Sequence, residues 1–378
     1  MTQLDRIARH LLLNGAFTSL PGLLTGKTGI ALFMLRYAAY RHEEQYRAFG
    51  TDLLREAFAR PDIRRAEGFA DGLAGMAWGA EHLLLKGLID RDDSPLPALH
   101  DFDEAVYGWY HEAEWGLRSG LAGYMLYLQS RIAREGLRED DISTMIRYEV
   151  YINMVERLER VNYRKNGPVN AGFVELITTK KYPPGAKHIE LSNYAKVITM
   201  LAKSLRQGIY PAIVGDLLTQ MTEPVLTTFE QLDWNGRVEP DELLMQCIAQ
   251  IEAGRACWNA GCLSGNDDWR HKARQQMRLT ALTAFPRLAS AFGDIRYLRV
   301  TIQLTQIIRR AALEIEDPVF ASAFQELSDH LMQLAGRVIE KEDDNYLGID
   351  GGLAGIGLVL LSGLDPEACC WDEMLLLS

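Results

Sequence analysis

Cysteine is scarce and odd in number: five (Cys247, Cys257, Cys262, Cys369 and Cys370) in 378 residues. Two of them are neighbours, and a bridge between adjacent cysteines is strained, so a disulfide framework is excluded and reduced thiols are the default. No apolar run is long enough to span a bilayer. The most apolar stretch, Gly351 to Leu364, falls short of the roughly 18 residues required and is broken by glycines. Positive charge is in deficit, with 40 basic against 51 acidic residues and a net charge of −11. The basic residues are scattered, which leaves no footprint for nucleic acid or anionic lipid. The first residues, MTQLDRIARHLLLNGAF, lack the charged, apolar and small-residue regions of a secretory signal, so a cytoplasmic protein is expected. Strand signals are few, and no low-complexity linker divides the chain. What remains, 48% hydrophobic and 24% charged residues, describes a well-cored globular protein and excludes disorder.

The sequence repeats itself. Four segments share the pattern G-x-x-x-G-x-x-G followed by an apolar run: they begin at Gly22, Gly68, Gly116 and Gly348, with their later glycines at 26 and 29, 72 and 75, 120 and 123, and 352 and 355. The first three start 46 and 48 residues apart (22 to 68, 68 to 116), the length of two helices with their connections. After each motif the apolar residues run on nearly every position, as in a helix buried on most sides. Between motifs lie amphipathic stretches such as Glu43 to Phe58 and Asp101 to Glu114, which predict helices with one solvated face. The unit is therefore an inner helix paired with an outer one. Paired glycines near a helix start are unfavourable by about 1 kcal/mol each relative to alanine, so a close approach of backbones is expected at the necks of the inner helices. A closed ring of helical hairpins satisfies that condition: an all-α fold, an α/α toroid, in one domain over residues 1–378. The segment from Asn162 to Lys187, with Asn166-Gly167 and Pro183-Pro184-Gly185, predicts a small β-hairpin or loop insertion.

These glycine motifs resemble those of the lanthionine cyclases, the LanC-like family, whose α/α toroid has about seven helical hairpins. Leu191-Ser192-Asn193-Tyr194 through Leu201 is similar to that family's L-S-H-G-x-x-G, with Asn193 in the histidine position and Tyr194 and Val197 in the glycine positions. Arg255-Ala256-Cys257-Trp258-Asn259-Ala260-Gly261 is similar to R-x-x-W-C-Y-G, with Asn259 where the family has a metal-binding cysteine and Ala260 where it has tyrosine. A sixth motif, C-H-G-x-x-G in the family, falls near Tyr297 to Leu304, which contains neither cysteine nor histidine. The resemblance implies a zinc ion held by two cysteines and a histidine, activating a peptide thiol for addition to a dehydrated residue. It also implies acid/base groups at Asn193 and at or near Gly116. In this sequence those positions carry none of the required chemistry. The expectation is a zinc-free pseudo-cyclase without a resident cofactor, which binds a ribosomally made precursor peptide or scaffolds a peptide-modifying enzyme.

Other readings stand beside it. Cys257, Cys262 and His271 offer a relocated zinc site for an active peptide cyclase, against the plainer reading of inert cysteines. Asp71, Glu114 and Asp350 at the motif mouths offer paired carboxylates for a carbohydrate-acting toroid, against helix capping. Arg255 binds a carboxylate or peptide carbonyl, or braces the neck. Trp258 is a wall residue, of a core first and of a peptide groove second.

Overall fold

Every long apolar run of the sequence becomes a helix. In the computed structural model of the chain, residues 2–59, 68–90, 96–111, 116–118, 120–135, 141–164, 186–229, 239–341 and 346–377 are described. They form α-helices and short 3-10 segments, with no strand among the described residues. The helices are α1 (Gln3–Asn14), α2 (Lys27–Arg41), α3 (Glu44–Phe58), α4 (Leu73–Leu85), α5 (Leu96–Trp109), α6 (Leu121–Glu135) and α7 (Ile142–Arg164), followed by α8 (Ala186–Arg206), α9 (Pro211–Phe229), α10 (Pro240–Ser264), α11 (Asp267–Phe292), α12 (Leu298–Glu314), α13 (Pro318–Lys341) and α14 (Leu353–Leu364). The fold class is all-α, as the periodicity predicts. Most of the expected insertion, residues 165–185, lies outside the described residues. Its two ends do not: residues 162–164 close α7 and 186–187 open α8. Among the described residues no helix is long and apolar enough to cross a membrane.

The chain divides into two compact units, the first comprising Met1–Tyr151, Gly293–Ile302 and Ser328–Met374, the second Ile152–Phe292, Gln303–Leu327 and Leu375–Ser378. The first unit holds the four glycine motifs, each ending where an inner helix begins. Helices α2, α4 and α14 are buried along almost their whole length, whereas α3 keeps a solvated face. Local chemistry sets the helix starts. Thr2 and Asp5 form a reciprocal capping box on α1. The inner helices use no side chain for this purpose: Gly26, Gly72 and Gly352 cap α2, α4 and α14 without a side-chain bond. The orphan donors of the first turn go to loop carbonyls instead. Thr28 N–H donates to Pro21 O at 3.2 Å, and Ala354 N–H to Leu347 O at 3.2 Å, in the equivalent register.

The third glycine of each motif is explained by its own loop. A Cβ on Gly29 would sit 2.1 Å from Leu23 O, on Gly75 1.7 Å from Phe69 O, on Gly123 2.5 Å from Leu117 O, and on Gly355 2.1 Å from Ile349 O. In every case the obstructing carbonyl belongs to the residue after the first glycine. The expected close approach of backbones is therefore present, and its nearest partner is the helix's own loop, which folds back over the first turn; at Gly123 the Phe69 Cβ of the neighbouring motif stands equally near, at 2.5 Å. Backbone of a neighbouring motif crowds the first glycine of two motifs. A Cβ on Gly22 would meet Asp71 Cα at 2.5 Å, and one on Gly348 would meet Leu24 O at 2.7 Å and Thr25 Cα at 2.8 Å. Those contacts accompany a backbone ladder through the third position of each motif. Ile349 and Asp350 N–H donate to Leu24 O at 2.8 and 2.9 Å, Leu24 N–H to Ala70 O at 2.8 Å, and Ala70 N–H to Arg118 O at 2.8 Å. The last motif of the chain thus adjoins the first.

The second unit is organised around α10, which packs on α8 and on α11 and is buried on nearly all sides. Pro240 in its first turn and Asp241 and Glu242 beside it favour its N-terminus, and Gly265, at φ 66°, closes it in the left-handed region. Gly254 admits α11, since a Cβ there would lie 2.4 Å from Met277 Cγ. Here the degenerate motifs behave differently from the intact ones. Tyr194 and Val197 lie inside α8, and Arg255 to Gly261 inside α10, so the helix runs straight through positions that elsewhere form a loop.

A clash with a backbone carbonyl cannot be relieved by a rotamer change. Gly75→Ala is therefore expected to destabilise the protein by about 2 to 3 kcal/mol, whereas Gly116→Ala, which meets nothing within 4 Å among the described residues, is expected within about 0.5 kcal/mol of wild type. Urea titrations followed by circular dichroism distinguish the two; equal midpoints would refute the loop explanation.

Candidate functional site

Three polar constellations stand out, and burial separates their roles. The first lies in the core of the N-terminal unit, on α4, α5, α6 and α7. Glu81 is fully buried and receives Arg131 Nη1 at 2.5 Å and the Arg134 guanidinium. Asp103 receives Arg131 Nη2 at 3.0 Å, Tyr127 Oη at 2.7 Å and Arg147 Nε at 3.6 Å. Burial pushes the Glu81 carboxyl above its ordinary range, opposed by the charges of Arg131 and Arg134. It raises Tyr127 too, with the Asp103 charge acting the same way. Each charge has an opposite partner, which is the pattern of a structural clamp.

The second constellation lines the ladder of glycine loops. Thr25 Oγ1 donates to Asp71 Oδ1 at 2.5 Å, tying loop one to loop two. Asp350 carries two guanidiniums, Arg118 Nη1 on Oδ2 at 2.5 Å and Arg299 Nε on Oδ1 at 2.8 Å. Neither aspartate caps a helix. Both link loops instead, which neither of the sequence-based readings anticipates. Asp350, with a side-chain exposure of 7% and both oxygens engaged, is a poor general acid or base; Asp71 is exposed. Glu114 lies outside the described residues. Gly116, at or near which the sequence reading expects an acid/base group, opens the third loop and carries no side chain.

The third constellation belongs to the second unit. Glu252, Arg255 and Asn259 recur at spacings of three and four on α10, which puts them on one face. All are buried, with exposures of 6%, 3% and 5%. Glu252 accepts a short hydrogen bond from Ser192 on α8, and Lys196 Nζ donates to Ser192 Oγ at 2.8 Å while lying 3.8 Å from the carboxylate. Asn193, half-buried, follows Ser192 on the same helix. Arg255 Nη2 donates to both oxygens of Glu314 at 2.7 Å. Its Nε and Nη1 are buried with no partner among the described residues. A buried guanidinium with two unanswered nitrogens, three N–H groups in all, has capacity for an acceptor, and a carbonyl or carboxylate oxygen is what it can take. Trp258 is half-buried beside it in sequence, and Ala260 is fully buried.

Zinc does not fit these residues. Asn259 and Ala260 offer neither thiolate nor imidazole, and Arg255, one turn before Asn259 on the same face, places a fixed positive charge there. The relocated set is not assembled. Cys257 is buried and its thiol is pushed well above the ordinary range by burial alone, while Cys262 and His271 are exposed. Cys257 and Cys262, five residues apart on one helix, point about 140° apart. Among the described residues no group of three histidine, cysteine or acidic side chains is arranged to hold a metal ion. The sequence reading singled out Arg255 and Asn259 and passed over Glu252, Ser192 and Lys196. The i, i+4 spacing of Ser192 and Lys196 and the 3-4 spacing on α10 were the available signals. Glu314 had none, since 59 residues separate it from Arg255.

The two buried arginines are expected to respond oppositely to removal. Arg131→Met removes the bridge between Glu81 and Asp103, leaving Glu81 with Arg134 and Asp103 with Arg147 and Tyr127, and is expected to cost about 3 kcal/mol. Arg255→Met leaves only Glu314, whose side chain is 37% exposed and regains water, and deletes two nitrogens without partners; stability is expected within about 1 kcal/mol of wild type. Paired urea midpoints measure both, and a large loss for Arg255→Met would make it a brace. The chain matches no protein-family model, and none of the curated proteins is similar enough to it to show a relationship.

Proposed function

We propose that the chain is a LanC-like α/α-toroid protein that binds a ribosomally made precursor peptide without closing thioether rings. The observation that carries this reading is the contrast between the two halves of the motif set. In all four glycine loops the carbonyl after the first glycine lies over the third, and a backbone ladder joins the third positions of the motifs, which supports a shared, repeated unit. The positions that would supply metal donors or acid/base groups hold Asn259, Ala260, Asn193 and Gly116. Thiol activation at neutral pH needs a metal or a cationic neighbour, and none of these residues is either.

Binding requires less. The orphaned Nε and Nη1 of Arg255 offer a buried recognition point for a peptide carbonyl or carboxylate, with Asn259 on the same face and Trp258 adjacent in the chain. The degenerate motifs, being helical throughout, present these groups from a rigid element and not from a loop.

The test uses purified full-length protein and a dehydrated, cysteine-containing peptide. Saturable binding by fluorescence anisotropy is expected, weakened at least tenfold by Arg255→Met, with free thiol lost no faster than in buffer. Thiol consumption above background, or stoichiometric zinc in elemental analysis, would establish a cyclase instead. Failure of the peptide to bind, with a peptide-modifying enzyme forming a stable complex, would turn the reading to a scaffold.

A further inference from the structure

Arg255 on α10 already holds a carboxylate, but in an incomplete way. A guanidinium and a carboxylate pair best through two parallel bonds, from Nη1 and Nη2 or from Nε and Nη2, one to each oxygen. Glu314 makes neither arrangement. Both of its oxygens meet the single nitrogen Nη2, at 2.7 Å each, while Nε and Nη1 are buried without a partner. The arginine side chain is 3% exposed and that of Glu314 37%, so the pair spans the boundary between core and solvent.

Glu314 is also free to leave. It is the last residue of α12, where the negative end of the helix dipole disfavours a carboxylate. Arg310, one turn earlier on the same helix, has its Nη1 3.8 Å from Glu314 Oε1. A second cation is therefore within reach, and a partly exposed carboxylate exchanges one cation for another, or for water, at small cost. Arg255 is bound by the opposite condition. Losing its carboxylate without replacement would strand a buried charge. Exchange of Glu314 for a carboxylate from outside the chain meets both conditions and completes the two-bond fork.

We propose that the ligand group taken by Arg255 is a carboxylate, and that Glu314 is a resident competitor for it, released toward Arg310 as the ligand's carboxylate seats. The inference rests on the peptide-binding reading above and narrows it. A peptide carbonyl brings one oxygen and no charge, so it neither forms the fork nor replaces the counter-charge that Glu314 withdraws. A C-terminal carboxylate and an acidic side chain present the same group to Arg255.

The experiment uses the full-length protein and one dehydrated, cysteine-containing peptide free of acidic side chains, prepared with a free C-terminus, with an amidated C-terminus, and amidated with one aspartate added. Fluorescence anisotropy is expected to show an acidic form binding roughly tenfold more tightly than the neutral amide, as a charge-assisted pair provides. Which acidic form gains tells a terminal carboxylate from a side-chain one. Glu314→Gln, close in shape and without the charge, is expected to tighten the preferred acidic form by about fivefold, because the competing state is weakened, and to move the neutral amide less. Glu316→Gln removes the same charge from an exposed side chain two residues on and is expected to change neither. Equal binding of all three peptides would overturn the carboxylate and leave the peptide reading standing; binding of none would remove that reading and this inference with it. A folded Glu314→Gln protein that binds the preferred acidic form no more tightly than wild type, or no more tightly than Glu316→Gln does, would overturn the competitor.

Discussion

Backbone carbonyls dictate the N-terminal unit. A helix begins with N–H groups that have no partner within it, and a buried helix cannot leave them to water. Side-chain caps solve this for α1. The inner helices solve it by folding the preceding loop back over the first turn, so that loop carbonyls accept the free donors. That solution brings a carbonyl to where a Cβ would stand at Gly29, Gly75, Gly123 and Gly355. The folded loops then expose their own third-position N–H and C=O groups, which find each other from loop to loop. One constraint thus yields both the glycine pattern and the ladder joining the motifs. Where glycines are replaced, at Tyr194 and Val197, the fold-back is sterically closed and the helix continues instead.

Much of this was legible in the sequence because it depends on local pattern. The four motifs, their spacing and the apolar runs after them locate the inner helices, and the helix period locates α3. The cause of the third glycine was not legible, because a sequence does not say whether a Cβ would strike a neighbour or its own chain. Nor were the long-range side-chain contacts. Arg118 and Asp350 are 232 residues apart and Arg36 and Cys370 are 334 apart, so only packing brings them together. Asp71 and Asp350 were visible at the motif mouths, but their task as links between loops depends on which loops are adjacent. The face formed by Glu252, Arg255 and Asn259 was half visible: Arg255 and Asn259 emerge from a motif, while Glu252 is revealed by its bond to Ser192.

The buried arginines order themselves by how completely they are answered. Arg131 meets two carboxylates, each further bonded, and behaves as part of the core. Arg255 meets one carboxylate that is partly in water, and two of its nitrogens meet nothing. Arg36 meets no carboxylate among the described residues, only an imidazole and a sulfur. Desolvating a guanidinium costs several kcal/mol even after relaxation, and only the first of these arrangements recovers it within the protein. Arg255 is better explained by something outside the chain, an acceptor oxygen from a ligand.

That ordering also separates binding from catalysis. A group recruited to bind needs an unanswered valence and a rigid support, and Arg255 has both on a helix buried around its circumference. A group recruited to catalyse needs a nucleophile, a proton acceptor or a metal set against a reacting atom. On the Arg255 face the nearest approach to that is Ser192 between Lys196 and Glu252, where the hydroxyl already donates to the carboxylate and accepts from the ammonium. Such a hydroxyl has its proton and one of its two lone pairs committed, and the carboxylate is buried beside a lysine. The arrangement ties α8 to α10 before it offers a nucleophile, which leaves Arg255 as the group on that face with capacity to spare.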